Sequence, residues 1–274
     1  MRHDPAAPFG FHAPGTLPRA LIGFCQAQPL TPMGRRLALW LRRVAMLLQG
    51  PVFDVAVRGI NLRLYPDDNV GERKFLFMPQ FFDPAEMALL ADRLPRDGTF
   101  VDIGANVGLY TLNAARLLGP AGRILAIEPG PEAARRLRFN LSINRTDAAI
   151  THVDCAIGAE EGVLGLYLDN SNLGGSSLVR DHGGASTPVR VRPLLDVLGG
   201  AGVTGIDVLK IDIEGAEDKA LLPFFAAAPE SLWPRVIIIE RSQESWGGDL
   251  LGRLKAAGYR AFGDSRMNWL FERG

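Results

Sequence analysis

The 274-residue sequence has few cysteines and no net charge, and both absences exclude classes of protein. It holds only two cysteines, Cys25 and Cys155, and no CxxC spacing, which argues against a disulfide framework and against a thiolate zinc site. Its 30 basic and 30 acidic residues cancel, so no net field draws the whole chain to nucleic acid. We therefore expect a reduced, cytoplasmic protein that does not bind nucleic acid.

Long apolar runs are also missing. The opening residues, MRHDPAAPFGFHAPG, lack the apolar stretch of a signal peptide. The most hydrophobic early segment, LALWLRRVAMLL at residues 37–48, is interrupted by Arg42 and Arg43 and is too short to span a bilayer. The first fifteen residues are rich in proline, glycine and alanine, which predicts a mobile tail.

Residues 32–49 have the periodicity of an amphipathic helix. Its four arginines lie mostly off an apolar stripe that consists of Leu37, Trp40, Leu41, Val44, Leu47 and Leu48. A basic helix of this kind can lie on a membrane surface, or it can pack on the main domain, since one apolar stripe with four arginines is common on helices of soluble proteins. We favour the packed helix and keep peripheral membrane contact as the alternative. Homo-oligomerisation also stays open.

The remaining pattern predicts an α/β fold. FDVAVRGINLRLYP alternates around Gly59 and predicts a β-hairpin, and FDPAEMALLADRL predicts a short helix. From residue 99, five β-rich runs alternate with helical stretches; the runs are TFVDI, RILAIE, AITHV, IDVLKID and RVIIIE, and the stretches are 107–118, 131–144, 215–227 and 248–257. This alternation is typical of a doubly wound, mostly parallel sheet. Two further β-like runs lie in 162–192 around a glycine-serine loop, and YRAF with MNWLFE predicts a closing hairpin.

The first strand of this sheet runs into the turn GANVG. Ligands of open α/β sheets bind outside the carboxyl ends of the strands, and Gly104 and Gly108 would let a ligand approach the backbone. The turn matches neither G-x-G-x-x-G nor a Walker A motif. Asp102, just before the turn, would repel a phosphate and attract a sulfonium or an ammonium, which favours S-adenosylmethionine over NAD. A tight turn without a ligand is the alternative.

The next two strand ends supply further candidates. Glu128 follows the second strand and is placed to accept hydrogen bonds from ribose hydroxyls, although a solvated acid before a turn would look the same. After the third strand, Asp154 could accept from an adenine amino group while Cys155 or Ala156 packs against the ring. An ordinary turn explains this third site almost as well.

The fourth strand ends in VLKIDIEGAE. If the strand continues, Lys210, Asp212 and Glu214 share one face, where buried charges need partners or a function. A Lys210–Asp212 ion pair would meet that need, and so would Asp212 or Glu214 acting as a base or substrate clamp. His182 on the glycine-serine loop is the second candidate base, although a loop histidine is more often merely solvated.

A metal site deserves separate consideration. Glu240 ends the fifth strand and is expected to point into the same crevice, where it could join Asp212, Glu214 and His182 as a ligand. Because the four histidines are scattered, we predict no required metal. Glu217, in the first turn of the next helix, gains from the helix dipole and is interpreted as a cap.

Taken in order, FVDIGANVGLYT, LAIEP, NLSIN, GGSSL and IDVLKIDIEGAE resemble the FkbM-type S-adenosylmethionine-dependent methyltransferases, over roughly residues 80–242. The resemblance implies a class I, Rossmann-like fold whose seven-stranded sheet has a reversed final strand. It implies S-adenosylmethionine as cofactor and methylation of a hydroxyl on a glycan or natural-product acceptor. The residues that match the cofactor motifs are Asp102, Gly104, Asn106, Gly108 and Glu128, with Asp212 where cofactor and substrate contacts are expected to meet.

On this interpretation, residues 81–274 form the methyltransferase domain, and residues 1–80 form an N-terminal extension of tail, helix and hairpin. Two other functions stay in view. An NAD-type oxidoreductase is disfavoured by the missing third glycine of the turn. A catalytically silent, methyltransferase-like binding module predicts lost cofactor acids, whereas Asp102 and Glu128 are both present.

Overall fold

The computed structural model describes residues 5–29, 31–167, 172–176 and 186–274. The chain divides into two compact units. The first consists of Met1–Pro84, Arg138–Arg145 and Asn170–Gly174, and the second of Ala85–Leu137, Thr146–Asp169 and Gly175–Gly274. Each unit therefore combines separate stretches of the sequence.

The first unit contains helices and one hairpin. Its elements are α1 (Thr16–Gln26), α2 (Pro32–Gln49), β1 (Phe53–Val57), β2 (Ile60–Leu64) and α3 (Val70–Phe77). The predicted hairpin is confirmed: β1 and β2 are antiparallel, and Arg58 and Gly59 between them both have positive φ, as in a type I′ turn. Helices α1 and α3 were not predicted. Among the helices of the described residues, none has the length and apolar character needed to cross a bilayer.

Helix α2 packs through its small residues. The buried residues of this helix are Gly34, Ala38 and Ala45. Helix α1 lies against them, and the Cys25 thiol contacts the carbonyl oxygen of Ala38 at 3.6 Å. The predicted stripe of large apolar side chains points elsewhere, with Trp40 61% and Leu47 86% exposed. The stripe is therefore not the face that packs on α1, because small side chains are what allow two helices to approach closely.

A buried arginine binds the N-terminal segment at residues 5–8. Arg63, on β2, pairs with Asp54 on β1 through two hydrogen bonds, Nε to Oδ1 at 2.7 Å and Nη2 to Oδ2 at 2.9 Å. Its remaining donors bind the backbone carbonyls of Pro5, Ala7 and Pro8 at 2.8–3.1 Å. A guanidinium has five N–H donors, and the N-terminal segment supplies the acceptors that Asp54 cannot. The predicted mobile tail is thus wrong for its described part.

The second unit is built on a seven-stranded sheet. Its strands are β3 (Thr99–Ile103), β4 (Arg123–Ile127), β5 (Ala149–Val153), β9 (Val208–Ile211), β10 (Val236–Glu240), β11 (Tyr259–Asp264) and β12 (Asn268–Arg273). They lie in the order β11-β12-β10-β9-β3-β4-β5, and only the β11–β12 and β10–β12 pairs are antiparallel. The doubly wound, mostly parallel sheet and the closing hairpin are confirmed. A separate three-stranded sheet consists of β6 (Ala156–Ile157), β7 (Gly162–Tyr167) and β8 (Ser186–Arg192).

The two faces of the large sheet differ in chemistry. Its core-facing positions are apolar, for example Val101, Ile103, Leu209 and Ile211. They share a core with residues of α7 (Leu194–Gly200), α8 (Glu217–Ala227) and α9 (Leu250–Ala256). The remaining helices are α4 (Pro84–Arg93), α5 (Leu109–Ala115) and α6 (Pro131–Ser142); α7 was not predicted, and α5 is shorter than predicted. The alternate strand positions, which carry the buried charges, therefore lie on the opposite face.

We expect Arg63→Met to lower the free energy of unfolding by about 3–5 kcal/mol, because it leaves the Asp54 carboxylate buried without its counter-charge. Burial by itself would raise the pKa of Asp54, but the hydrogen bonds from Arg63, His12 and Gly10 hold that pKa below its usual value. The wild type should therefore lose this stabilisation as the pH falls through the lowered pKa of Asp54. Urea denaturation followed by circular dichroism at pH 7 and in acid measures both effects.

The matched control is Arg36→Met, the same substitution at an exposed position of α2. It should change stability by no more than about 0.5 kcal/mol. Equal unfolding midpoints for the two variants would contradict the role given to Arg63.

Candidate active site at the carboxyl edge of the sheet

The order of the strands reverses at β3, which lies between β4 and β9. Ligands of open α/β sheets bind outside the carboxyl ends of the strands at such a point. Ile103, the last residue of β3, is the register partner of Ile127 on β4 and of Ile211 on β9. The three turns that follow these strands therefore start side by side, and they carry most of the predicted site residues.

Opposite charges lie buried on neighbouring strands at this edge. Asp102 and Lys210 are register partners on the same face, and they are 0% and 4% exposed. The Thr111 hydroxyl donates to Oδ2 of Asp102 at 2.6 Å. Nζ of Lys210 lies 3.2 Å from Oδ2 of Asp212 and 4.7 Å from the ring centroid of Tyr110. The predicted Lys210–Asp212 ion pair is present, while Thr111 and Tyr110 were missed because nothing in their spacing marks them.

One carboxylate oxygen of Asp102 accepts no hydrogen bond from the described residues. Burial raises the pKa of Asp102, against the Lys210 charge and the Thr111 hydrogen bond, which lower it. Its Oδ1 is buried and has no hydrogen-bond partner in the part of the chain that the structure describes. A buried acceptor without a donor is unfavourable, so this atom suits a ligand that brings a donor or a positive charge.

The glycines of the turn after β3 serve the chain itself. Gly104 and Gly108 have φ of +79° and +90°, which side chains rarely adopt. A Cβ on Gly104 would collide with the carbonyl oxygen of Asp212, and one on Gly108 would lie 2.6 Å from a methyl group of Leu137. These contacts and the positive φ values require glycine at both positions whether or not a ligand binds, and an approach of a ligand to the backbone of this turn stays a prediction. Asn106, between the glycines, also has positive φ.

Glu128 is tied to this turn. Its Oε2 accepts from the backbone N–H of Asn106 at 2.8 Å, and its Oε1 accepts from the N–H of Gly130 at 2.7 Å. Burial raises the pKa of Glu128 to about 7, against these two hydrogen bonds, which lower it. A Cβ on Gly130 would lie 2.9 Å from Oε1, so this glycine is part of the site. We missed it, although a glycine two residues after the acid was the available signal.

The three residues of the third predicted site differ in their exposure to solvent. Asp154 follows β5 with its side chain 60% exposed, and its Oδ1 lies 3.2 Å from Nε2 of His152. Cys155 is buried in the core of the large sheet, and Ala156 is buried in a small core under β8. A contact of Asp154 with an adenine amino group stays a prediction. Burial of Cys155 and Ala156 does not favour the ring contact predicted for them.

Three carboxylates converge at the carboxyl ends of β9 and β10. Asp212, Glu214 and Glu240 each offer an oxygen, and these oxygens lie within 4.8 Å of one another. Because β9 ends at Ile211 and Glu214 has φ of +56°, the prediction of three charges alternating along one strand is wrong beyond Ile211. The cluster could accept a proton from a hydroxyl or hold a divalent cation, which prefers oxygen ligands. The absence of a required metal stays a prediction, and His182 lies outside the described residues.

Glu217 fixes the turn that carries Glu214. Its Oε1 accepts from the backbone N–H groups of Ile213 and Gly215 at 2.9 and 3.3 Å, as a cap would. Its Oε2 accepts from the Ser242 hydroxyl at 2.6 Å and the Trp246 indole N–H at 2.8 Å. One fully buried carboxylate therefore joins the turn after β9 to the segment after β10.

We expect Glu217→Gln to lower the free energy of unfolding by about 1–3 kcal/mol. Glutamine has an NH2 group in place of one carboxylate oxygen, and this group cannot accept the hydrogen bonds that the oxygen accepted. Denaturation midpoints measure this loss, and near-ultraviolet circular dichroism reports the environment of the Trp246 indole. Glu244→Gln is the control, since Glu244 is exposed in the same segment. If Glu217→Gln had the spectrum and the denaturation midpoint of the wild type, the hydrogen bonds to the Glu217 carboxylate would not be needed to fix this turn.

A mostly parallel sheet with a reversed last strand is the sheet topology of the class I methyltransferase fold. Within that class, residues 102–261 match the methyltransferase FkbM domain, and the chain belongs to this family. The resemblance found in the sequence is thus confirmed, and family and fold together indicate an enzyme.

Two curated relatives and one solved structure illustrate the similarity. The methyltransferase sdnD of Sordaria araneosa is 30% identical over 158 residues, which is 47% of this chain and 61% of that protein. The chain thus spans less than two thirds of sdnD. The 31-O-demethyl-FK506 methyltransferase FkbM of Streptomyces tacrolimicus is 28% identical over 198 residues, or 61% and 73% of the two chains. A precorrin-6y C5,15-methyltransferase from Geobacter metallireducens GS-15 is 17% identical with a TM-score of 0.39, and the match covers 68% of this chain and 86% of that chain. This likeness is too distant to inform the site.

Proposed function

We propose that this chain transfers a methyl group from S-adenosylmethionine to a hydroxyl oxygen of a glycan or natural-product acceptor. The observation that carries the cofactor assignment is the charge of the carboxyl edge. Five carboxyl side chains end there beside the Lys210 ammonium; they belong to Asp102, Glu128, Asp212, Glu214 and Glu240. Such an edge attracts a sulfonium and an ammonium and repels the pyrophosphate of NAD.

The residues present fit this cofactor. Glu128 would accept from the ribose hydroxyls, and the unsatisfied Oδ1 of Asp102 suits the positive charge of the methionine part. The turn at 104–108 would line the cofactor with its backbone. When bound, S-adenosylmethionine supplies an activated methyl group and a sulfide leaving group.

The chain's own part in the reaction is to position the acceptor and to take its proton. Positioning is the larger contribution, worth about 7–11 kcal/mol of the barrier. A carboxylate oxygen of Asp212 or Glu214 would accept the hydroxyl proton, which adds about 10²–10⁴-fold. The ion pair with Lys210 holds Asp212 in one orientation. His182 is the second candidate base.

An oxygen acceptor is supported by the relative from Streptomyces tacrolimicus, which is named as a methyltransferase of 31-O-demethyl-FK506. A reducing, cytoplasmic setting is supported by the two free, buried cysteines, Cys25 and Cys155.

We expect S-adenosylhomocysteine, the product form of the cofactor, to bind in calorimetric titration and to bind about tenfold more weakly at pH 6 than at pH 8. Ribose hydroxyls donate to the ionised form of Glu128, whose pKa is about 7 in the free protein. Below that pH the carboxyl group must first lose a proton, so the dissociation constant rises as pH falls. Glu128→Gln should remove the pH dependence.

Glu244→Gln is the control and should keep the wild-type pH dependence. NADH is titrated in parallel, and binding of NADH without binding of S-adenosylhomocysteine would mean the wrong class of enzyme. A dissociation constant that is flat across pH 6–8 in the wild type would remove Glu128 from the ribose site and leave the cofactor assignment intact.

We expect one of the two variants Asp212→Asn and Glu214→Gln to lower turnover about 10²–10⁴-fold, namely the variant that lacks the base. Transfer of labelled methyl groups to a panel of glycans and hydroxylated natural products would identify an acceptor for this comparison. Calorimetry on the same variants separates the roles, because a lost cofactor contact weakens S-adenosylhomocysteine binding whereas a lost base does not. If both variants turn over at the wild-type rate, neither carboxylate is the base.

A further inference from the structure

The outward face of α2 is apolar. Met33, Leu37, Trp40, Val44 and Leu47 recur at intervals of four, three, four and three residues, so they form one stripe along the helix. All but the half-buried Val44 are exposed. Because α2 packs on α1 through its small residues, this stripe has no role in that packing. At 1.5 Å per residue, it runs for about 21 Å.

The surroundings of this stripe are basic. Residues 5–53 contain five arginines and neither aspartate nor glutamate. None of the four arginines of α2 forms an ion pair within the part of the chain that the structure describes; they are Arg35, Arg36, Arg42 and Arg43. On the helix, Arg36 and Arg43 border the stripe along one edge.

The arginines also act on one another. The pKa of Arg42 is lowered, first by burial and then by the charges of Arg73, Arg43 and Arg35. Positive groups therefore gather on this unit without acidic residues from α1 or α2 to neutralise them. Such a surface favours a partner that carries negative charge.

We propose that the outward face of α2 binds the surface of an anionic lipid bilayer. A second copy of the chain fits less well, since a two-fold interface through α2 would bring the same arginines of both copies together. Tryptophan, methionine and leucine beside arginine are the side chains that enter the boundary between headgroups and acyl chains. A single helix presents a convex ridge, which a deformable lipid surface accommodates without a matching groove.

Flotation of the full chain with vesicles tests this proposal. We expect binding to phosphatidylcholine vesicles that contain 30% phosphatidylserine, little binding to phosphatidylcholine alone, and release at 0.5 M NaCl, where surface charges are screened. Arg36→Gln with Arg43→Gln should lower the partition coefficient about 30-fold. Trp40→Ser with Leu47→Ser should abolish binding, because the apolar anchor is lost.

Matched controls come from the second unit. Val163→Ser with Leu164→Ser removes two exposed apolar residues, and Arg123→Gln with Arg266→Gln removes two exposed arginines. Both should bind vesicles like the wild type, and circular dichroism checks that every variant is folded. Absence of binding to the anionic vesicles, or equal losses in the α2 and control variants, would overturn the proposal.

Other occupants give different results. A dimer in lipid-free sedimentation that Trp40→Ser with Leu47→Ser dissociates would assign the face to a second copy. Binding to a helical peptide with a leucine stripe and glutamate flanks, together with no binding to vesicles, would assign it to an acidic protein. Either result overturns the lipid surface as the occupant.

Discussion

The buried ammonium of Lys210 is the constraint on which the carboxyl edge depends. A charge removed from water needs partners, and Lys210 has Asp102 beside it on β3 and Asp212 two residues ahead. The pairing of β3 with β9 places Asp102 beside Lys210, whereas Asp212 is near because it follows two residues later in the same segment. A slip of one residue between these strands would turn the charges into the apolar core. The same pairing that buries Val101 and Leu209 thus sets the charge pattern of the site.

The turns of the site are held by the protein's own backbone. Gly104 lies against the carbonyl of Asp212, and Glu128 binds the N–H of Asn106, so the turns after β3, β4 and β9 share contacts. Glu217 and its neighbour Asp218 extend this to the segment after β10, where Asp218 accepts from the N–H groups of Gly247 and Gly248 at 2.8 and 2.9 Å. Carboxylates that bind backbone donors fix a site without any ligand, which is the preorganisation that methyl transfer needs.

Sequence periodicity predicted much of the fold, and two of its failures share a physical cause. The alternation of β-rich runs with helical stretches predicted the sheet. An acidic residue at the end of a strand, before a turn, marked Asp102 and Glu128 as candidate cofactor residues. Helical periodicity in 32–49 was equally clear, but it shows only which residues share a face. Gly34, Ala38 and Ala45 share one too, and close packing on α1 selected it. The same limit hid Arg63, whose partners at residues 5–8 are fixed by hydrogen-bonding capacity and not by any repeat.

Charge is used in two ways in this chain, and solvent exposure separates them. At the carboxyl edge, Lys210 and Asp102 are withdrawn from water, so dissolved salt screens their fields little. The exposed arginines of α2, such as Arg36 and Arg43, act through water, where fields decay over about 8 Å at physiological ionic strength. Buried charges therefore keep most of their effect on a site as the salt concentration changes. The charges of α2 respond to those conditions, which suits a contact that forms and releases.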